Sequence, residues 1–221
     1  MAKNTFYITT PIYYANDEPH IGHSYTTILA DVLSRYHRSM GQEVFFLTGL
    51  DEHGQKVQQV AEERGIDPQQ HCDEMASKWK HLWEKLHIQY DDFIRTTEPR
   101  HEKVVKAVLN VVKDAGDIYM DEYGGSYCIG CERFYTEKEL EDGKCPQHEK
   151  ELEHITEKNY FFKMSKYQKE LIDYINENLE FVQPQHRKNE ILGFLSQPLE
   201  DLCISRPKNR LNWGVELPFD H

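Results

Sequence analysis

Short runs of β-branched and aromatic residues alternate with longer segments of helical period in the first half of the chain. Residues 5–12 and 43–48 are two such runs with little charge, which predicts buried strands. Between them, apolar residues recur every three or four positions from Ile21 to Met40, and Gly41 follows. This pattern predicts a helix of about five turns that ends at a glycine C-cap.

The second predicted strand is followed by two more segments of helical period. A turn over 49–54 leads into a short helix that is predicted to end at Arg64. Asp67-Pro68 then has the sequence of an N-cap followed by a proline at the first helical position, and an apolar stripe continues behind it to Leu86. These features predict a well-defined helix.

A third short strand is predicted over 92–96, and Thr97 is predicted to cap a helix that closes at Gly116. Strands that alternate with helices over 5–116 indicate a parallel sheet with right-handed crossovers. We therefore expect half of a doubly wound, Rossmann-type nucleotide-binding fold of the α/β class.

The pattern changes after Gly116. Aromatic positions on both sides of Gly124-Gly125 predict a β-hairpin over 119–127. Helical periodicity returns over 167–179, and a last short strand is predicted over 201–205. This half of the chain is predicted to form a different kind of subdomain.

The charge balance limits the classes of partner. The 26 basic and 38 acidic side chains give a net charge of −12, which argues against a basic nucleic-acid arm and a cationic membrane-surface protein. No apolar run approaches the ~18 residues that a membrane-spanning helix needs, and the first residues lead into a strand rather than a signal peptide. We therefore expect a cytosolic globular protein that binds neither membranes nor DNA.

Three of the five cysteines form ligand pairs with a nearby histidine. Cys128 and Cys131 are separated by two residues, as are Cys145 and His148, and thirteen residues lie between the pairs. Three thiolates and one imidazole suit tetrahedral Zn²⁺, and four protein ligands leave no open position for water. The spacing predicts a structural zinc site, the alternative being unliganded thiols. The other two cysteines lie in apolar patterns and are predicted to be core residues: Cys72 and Cys203.

The loop after the first predicted strand ends in His20-Ile21-Gly22-His23, at the start of a helix. In a doubly wound sheet, ligands bind at the carboxyl ends of the strands, where a helix N-terminus offers free N–H groups to a phosphate. The position therefore favours phosphate binding by His20 and His23, with Gly22 leaving room for a nucleotide. An isolated His-x-x-His is more often a helix start without a ligand.

Asp51 follows the second predicted strand, so its carboxylate is predicted to point into the same crevice as His20 and His23. A carboxylate there suits a substrate ammonium group, to which it offers a charge-assisted hydrogen bond. The alternative is an acidic N-cap for the helix that follows.

Together these features resemble a known enzyme family. The His20–His23 segment is similar to the His-Ile-Gly-His signature of the class I aminoacyl-tRNA synthetases, and its surroundings resemble the methionyl-tRNA synthetases within that class. The resemblance covers essentially the whole chain and includes Thr9–Asn16, Thr48–Gly54, the cysteine cluster, Ser205-Arg206-Pro207 and Trp213-Gly214.

The resemblance implies ATP-dependent activation of methionine to methionyl-adenylate, followed by transfer to tRNA. It implies that His20 and His23 bind the phosphates of ATP, supplied with Mg²⁺, and stabilise the charge that develops at the α-phosphorus. It assigns Asp51 to the α-ammonium group of methionine. Further residues implied at the site are Asn16 and Gly22 for ATP, and Ile12 and Tyr14 for the methionine side chain. By pattern alone, the last two are predicted to be core residues.

The family divides its nucleotide-binding domain with a connective insertion. The resemblance implies the first half of the catalytic domain over 1–116 and an insertion with a zinc knuckle over 117–206, which guides the tRNA acceptor end. Residues 207–221 would start the return into the second half. A chain with half of the crevice is expected to be inactive or very weak by itself.

Lys163-Met164-Ser165-Lys166-Tyr167 resembles the Lys-Met-Ser-Lys-Ser loop of the class, which holds ATP phosphates. Its place inside the insertion, far upstream of the position expected for that loop, predicts a structural segment instead. Two other functions are compatible with the sequence. One is a small nucleotidylyltransferase, which shares the paired histidines but needs neither the zinc insertion nor the Asp51 turn, and the other is a non-catalytic zinc-knuckle binding module.

Overall fold

The computed structural model of the protein describes residues 4–131, 133–135, 140 and 142–220. Contacts divide the chain into two compact units. The first consists of Met1–Ala107, Cys128–Arg133 and Leu211–His221, and the second of Val108–Tyr127 and Phe134–Arg210. Within the described residues, no helix combines the length and the apolar character that a bilayer crossing requires.

A parallel sheet forms the centre of the first unit. Its longest strand, β3 (Glu43–Asp51), pairs along one side with β1 (Thr5–Thr9) and β2 (Tyr13–Tyr14) and along the other with β4 (Asp92–Arg95). All pairs are parallel, so the carboxyl ends of β2, β3 and β4 lie at one edge of the sheet. The predicted α/β class and parallel sheet are confirmed.

The connecting helices are α1 (Ile21–Ser39), α2 (Gln55–Arg64), α3 (Pro68–Lys85) and α4 (Pro99–Asp114). Helix α3 begins where the sequence predicts: the side chain of Asp67 accepts the N–H of Gln69 at 2.8 Å, and Pro68 follows as a first-turn residue. The predicted cap of α4 is wrong. The hydroxyl of Thr97 donates instead to the side chain of Glu52, because a buried carboxylate in the neighbouring turn offers a stronger acceptor.

The core of the first unit lies between α3 and the sheet. Trp79 and Trp83 of α3 are essentially inaccessible, and the ring of Trp79 stacks on that of Tyr13 with centroids 4.9 Å apart. Rings of this size bury large apolar areas, so the stack holds β2 firmly against α3. The same buried cluster contains Ala15, Ala30, Phe46, Leu50, Val57, Cys72, Met75, Ala76, Ile88 and Phe93.

The apolar residues that define helix α1 are largely exposed. Ile21 and Tyr25, for example, are 87% and 73% exposed. The buried face is small or polar: Asp31 accepts the N–H of Gln89 at 2.7 Å, and other hydrogen bonds satisfy its neighbours. The periodicity therefore locates the helix correctly but does not identify the face that packs on the sheet. The buried residues are Thr27, Ala30, Asp31 and Ser34.

Strand β3 is longer than the sequence pattern predicts. Gly49 does not begin a turn, because it continues the ladder opposite Ile94 of β4. A Cβ at residue 49 would lie 2.0 Å from the carbonyl oxygen of Ile94, so only glycine allows the two strands to approach this closely. The strand therefore continues to Asp51, which lies at its carboxyl end.

The second unit contains a sheet built from β5 (Ile118–Cys128), β6 (Arg133–Tyr135), β7 (Glu153–Phe162) and β8 (Leu202–Cys203). Their order is β6–β5–β7–β8, and β7 pairs antiparallel with both β5 and β8. The predicted hairpin is wrong: Gly124 and Gly125 lie inside β5, opposite Thr156 and Ile155 of β7. Pairing with β7 along nearly all of β5 supplies the backbone partners that keep both glycines extended. The helical elements of this unit are a 3₁₀ helix (Met164–Tyr167), α5 (Gln168–Glu177) and α6 (Gln185–Leu195).

Candidate active site

His20 and His23 close the N-terminus of helix α1 as a reciprocal pair. His20 is the N-cap, and its Nδ1 accepts the N–H of Gly22 at 3.1 Å, while Nδ1 of His23 accepts the N–H of His20 at 3.2 Å. In this capping box, side chains three positions apart satisfy backbone donors of the helix start. The two rings stack with centroids 3.6 Å apart. The His-x-x-His spacing therefore has a structural reason.

The capping bonds also set the tautomer of each neutral imidazole. Because each Nδ1 accepts a hydrogen bond, a neutral ring carries its proton on Nε2, which becomes the donor. Burial lowers the pKa of His23, and the neighbouring His20 lowers it further, so His23 is neutral near physiological pH. A Cβ at residue 22 would lie 2.9 Å from Cε1 of His20, so Gly22 leaves room for that ring.

Strand β2 connects the histidines with the end of β3. The ring of buried Tyr13 lies 4.8 Å from the ring of His23, and its hydroxyl is hydrogen-bonded to that of Thr27 in α1 at 2.9 Å. The next residue, Tyr14, pairs with Asp51 in the parallel ladder. Two consecutive residues of β2 therefore bring the start of α1 and the carboxyl end of β3 together.

The other site residues that the family resemblance implies also lie near the ends of β2 and β3. The carbonyl of Asp51 accepts the N–H of Ala15 at 3.0 Å, and half-buried Asn16 follows in the turn after β2. Ile12 and Tyr14 are 42% and 49% exposed, so their prediction as core residues from the pattern alone is wrong. Ile12 precedes β2 and Tyr14 is its last residue, so both lie near the carboxyl ends of the parallel strands, where α/β folds bind ligands.

Asp51 does not cap helix α2. The N-cap of that helix is Gly54, and no side chain makes a capping hydrogen bond there. Asp51 is instead the last residue of β3, because the ladder continues past Gly49. The structural alternative for this carboxylate, an acidic N-cap, is therefore wrong.

Sequence reasoning assigned no role to several residues around the end of β3. Nζ of Lys56 lies 5.4 Å from the centre of the Tyr14 ring. The ring of Trp213 lies 5.5 Å from that of His53, and burial lowers the pKa of His53. Glu52 is completely buried. Glu52 and Trp213 both belong to motifs that carry the family resemblance. The sequence alone, however, does not distinguish a buried glutamate from an exposed one.

The four predicted zinc ligands lie together. The ligand atoms of Cys128, Cys131, Cys145 and His148 are all within 4.8 Å of one another, and Sγ of Cys145 is 3.7 Å from Nδ1 of His148. A tetrahedral Zn²⁺ with Zn–S bonds of about 2.3 Å places its ligand atoms ~3.8 Å apart, so small side-chain adjustments would complete the site. The donor set and its arrangement therefore fit a closed zinc site.

The other two cysteines differ from each other. Cys72 is fully buried, as predicted, and burial raises its pKa to about 12, so the thiol stays protonated. Cys203 is only half-buried, and Arg206 donates to its sulfur at 3.2 Å, so its prediction as a core residue is wrong. The strand that carries it, β8, lies at the edge of the sheet and leaves one side of the residue uncovered.

Hydrogen bonds fix the Lys163–Tyr167 segment to its own unit. Nζ of Lys166 donates to Oδ1 of buried Asp117 at 2.6 Å. The hydroxyl of Ser165 donates to Oδ1 of Asp201 at 2.6 Å. The lysine and serine that would contact phosphate in a nucleotide loop are thus engaged in structural contacts, which supports the structural interpretation of this segment.

Replacing Lys166 by methionine should lower thermal stability without weakening the ATP binding that the family resemblance implies for the full-length protein. The hydrogen bond from Lys166 lowers the pKa of Asp117, so the pair stabilises the fold above the ordinary carboxyl pKa. This stabilisation is lost as the pH falls through the lowered pKa of Asp117. The difference in melting temperature between the parent and Lys166→Met should therefore shrink at low pH. Lys169→Met, which removes an exposed pair with Asp173, is the control. An ATP dissociation constant raised by about tenfold in full-length Lys166→Met would contradict the structural interpretation.

Comparison with known proteins identifies the family. The family model described as tRNA synthetases class I (M) matches residues 6–221. The chain therefore belongs to this family of class I aminoacyl-tRNA synthetases. The parallel sheet, the paired histidines and helix α1 thus lie within the region that this family model matches.

Two curated relatives of this chain are methionine-tRNA ligases. The methionine-tRNA ligase of Fusobacterium nucleatum is 50% identical over 218 residues, which cover 98% of this chain and 34% of that protein. The methionine-tRNA ligase of Clostridium tetani is 50% identical over 222 aligned positions, or 100% of this chain and 34% of that protein. The chain therefore spans about a third of the length of these curated relatives.

A solved structure agrees with these sequence matches. The structure of Mycobacterium tuberculosis methionyl-tRNA synthetase in complex with methionyl-adenylate superimposes with a TM-score of 0.92 at 37% identity. The match covers 98% of this chain and 43% of that one. At this identity and coverage, the fold of the chain is that of the corresponding part of the synthetase.

Proposed function

We propose that this chain is the N-terminal portion of an enzyme that activates methionine with ATP and transfers it to tRNA. In the first step, a carboxylate oxygen of methionine attacks the α-phosphorus of ATP, the bond to pyrophosphate breaks, and methionyl-adenylate forms. In the second, a hydroxyl of the terminal ribose of tRNA attacks the methionyl carbonyl, and AMP leaves. The observation that carries the proposal is the His20–His23 cap of α1 beside β2, whose Tyr14 pairs with Asp51.

In this proposal, His20 and His23 bind the phosphates of ATP, which enters with Mg²⁺. Their Nε2 atoms donate hydrogen bonds to phosphate oxygens, and the donors are oriented before the reaction because Nδ1 of each ring is already engaged. Neither ring forms a covalent bond, so their contribution is positioning and stabilisation of developing charge. Gly22 and Asn16 complete the nucleotide site, the first at the helix N-terminus and the second in the turn before it.

The methionine is proposed to lie at the ends of β2 and β3. Asp51 accepts hydrogen bonds from its α-ammonium group, as an anionic partner for a cation in a partly buried site. Ile12 and Tyr14, both substantially exposed at this edge, contact the methionine side chain. An aromatic ring next to a polarisable thioether is a favourable contact, which supports the choice of methionine over a purely aliphatic substrate.

We propose that the cysteine cluster holds a structural zinc ion. When bound, the ion would cross-link two turns of the chain, with no open position for catalysis. The purified protein should contain about one zinc per chain, and Cys131→Ser should lower the zinc content and the melting temperature. Cys203→Ser, which removes a half-buried thiol outside the cluster, is the control. Metal analysis that finds well under one equivalent in the parent protein would contradict the site.

The domain division is proposed from the same resemblance. Residues 1–116 form the first half of the catalytic domain, 117–206 an insertion that guides the tRNA acceptor end, and 207–221 the return to the second half. The exposed apolar face of α1 supports this division, because a second half of a doubly wound fold would cover it. With methionine, ATP and tRNA as its partners, the enzyme is proposed to act in the cytosol, without membrane or DNA contacts.

Pyrophosphate exchange in the full-length enzyme tests the proposal. Label from pyrophosphate should enter ATP only when methionine is present, because the reverse of adenylate formation needs the bound amino acid. Isoleucine and leucine serve as controls of similar size. Exchange that requires another phosphoester substrate would indicate a nucleotidylyltransferase, and no exchange with any substrate would indicate a binding module. The 221-residue chain alone is expected to show little or no exchange.

A further inference from the structure

Glu52 is completely buried, although it lies between the two polar residues Asp51 and His53 at the sheet edge. Nε of Arg95 donates to Oε1 of Glu52 at 2.7 Å, and the hydroxyl of Thr97 donates to Oε2. Both oxygens of the carboxylate are therefore bound by groups from the end of β4 and the residues after it. A glutamate in this position requires such partners, because an unpaired charge out of water is strongly unfavourable.

The backbone of Glu52 is held as tightly as its side chain. Its N–H donates to the hydroxyl of Thr96 at 2.9 Å, and its carbonyl accepts a hydrogen bond from Nε1 of Trp213. The carbonyl of Trp213 in turn accepts the N–H of Gly54 at 3.2 Å. The turn that follows Asp51 is thus fixed from one side by β4 and from the other by the segment around residue 213.

Arg95 extends this network to helix α3. Its guanidinium also donates to Oδ1 of Asp73 at 2.7 Å, and its side chain is only 16% exposed. Two carboxylates on one planar guanidinium hold Arg95 in a single orientation. Burial raises the pKa of Glu52, while the hydrogen bonds from Arg95 and Thr97 oppose that rise. The hydrogen bonds of this network fix Glu52 in place, and the network adjoins Asp51, the residue proposed to bind the substrate ammonium group.

We propose that Glu52, held by Arg95 and Thr97, is a positioning residue that orients Asp51 toward the ammonium group of methionine. This inference rests on the proposed function. Glu52 itself does not touch the substrate, because its side chain points away from solvent into the contacts with β4. Glu52 directly follows Asp51 in the chain, and both its backbone N–H and its side chain are held, so the peptide group that joins the two residues restricts the orientation of Asp51. The histidine pair at α1 is held by its own capping bonds and does not depend on this network.

The test is a comparison of the two substrate KM values in pyrophosphate exchange by the full-length enzyme. Glu52→Gln keeps the size of the side chain but removes its charge, and should raise the methionine KM about tenfold while the ATP KM stays within about twofold. Asp117→Asn is the matched control, because it also neutralises a buried carboxylate paired with a cation but lies in the other unit. It should lower the melting temperature and leave both KM values unchanged.

A milder variant keeps the inference testable should Glu52→Gln fail to fold. Thr97→Val removes one hydrogen bond to Glu52 and leaves Arg95 in place, and should raise the methionine KM about threefold with the ATP KM unchanged. Unchanged KM values, or a parallel change in both of them, would overturn the positioning role. If the parent enzyme shows no methionine-dependent exchange, the proposed function itself is wrong, and this inference fails with it.

Discussion

Replacing His23 by alanine should reduce methionine-dependent pyrophosphate exchange in the full-length enzyme by about 10²–10³-fold, the loss expected for one donor that stabilises developing charge. The donor is Nε2 of the neutral ring, because Nδ1 accepts the N–H of His20. Most of the loss should appear in kcat, since the interaction strengthens as charge builds up at the α-phosphorus. An exchange rate within about threefold of the parent would contradict the assignment.

His23→Ala also removes a helix cap, so its effect must be separated from a loss of fold. A glutamine at this third helical position can still accept the N–H of His20, as in an ordinary capping box. We therefore expect His23→Gln to melt close to the parent enzyme and yet to show a rate reduced by about 10²-fold. His81→Ala, at an exposed histidine of α3, controls for the loss of an imidazole elsewhere and should leave the rate unchanged.

Replacing Asp51 by asparagine should lower kcat/KM for methionine by about 10²-fold, because the substrate ammonium group loses its anionic partner and remains partly desolvated. ATP binding should change little, since His20 and His23 belong to helix α1 and keep their capping bonds. The exchange reaction, measured at varied methionine and at varied ATP, gives the two constants separately.

The Asp51→Asn result also distinguishes a ligand role from a capping role. Asparagine caps helices as well as aspartate does, so a capping residue would tolerate the change. Asp92→Asn is the matched control. It removes a carboxylate at the amino-terminal end of the neighbouring strand β4, where Asp92 pairs with Arg100. A methionine kcat/KM that falls equally in both variants would contradict the specific role of Asp51.

The location of the candidate site followed from local sequence features. The His-x-x-His spacing marks the start of α1, where both imidazoles accept backbone N–H groups of the same helical turn. Asp67-Pro68 marks the start of α3 in the same way. Capping depends on side chains and backbone groups only a few residues apart, so the sequence contains the information directly.

Several errors of the sequence-based prediction concern contacts between distant residues. Gly49 and the Gly124-Gly125 pair favour turns by composition, yet both lie inside strands, because a neighbouring strand supplies their hydrogen bonds. Thr97 has the sequence of a cap, but its hydroxyl binds Glu52, which lies 45 positions away. Intrinsic preferences of glycine and threonine are small compared with such pairing.

The sequence by itself determined the alternation of the longer strands and helices over 5–116, the histidine pair at a helix start and the spacing of four candidate zinc ligands. Periodicity, capping and ligand spacing are properties of neighbouring residues, so they can be seen without a structure. Only the tertiary structure decided which face of α1 is buried, that β3 runs on to Asp51, and that Glu52 is enclosed by Arg95, Thr97 and Trp213. These features depend on segments as far as 161 positions apart that meet only when the sheet and its helices pack.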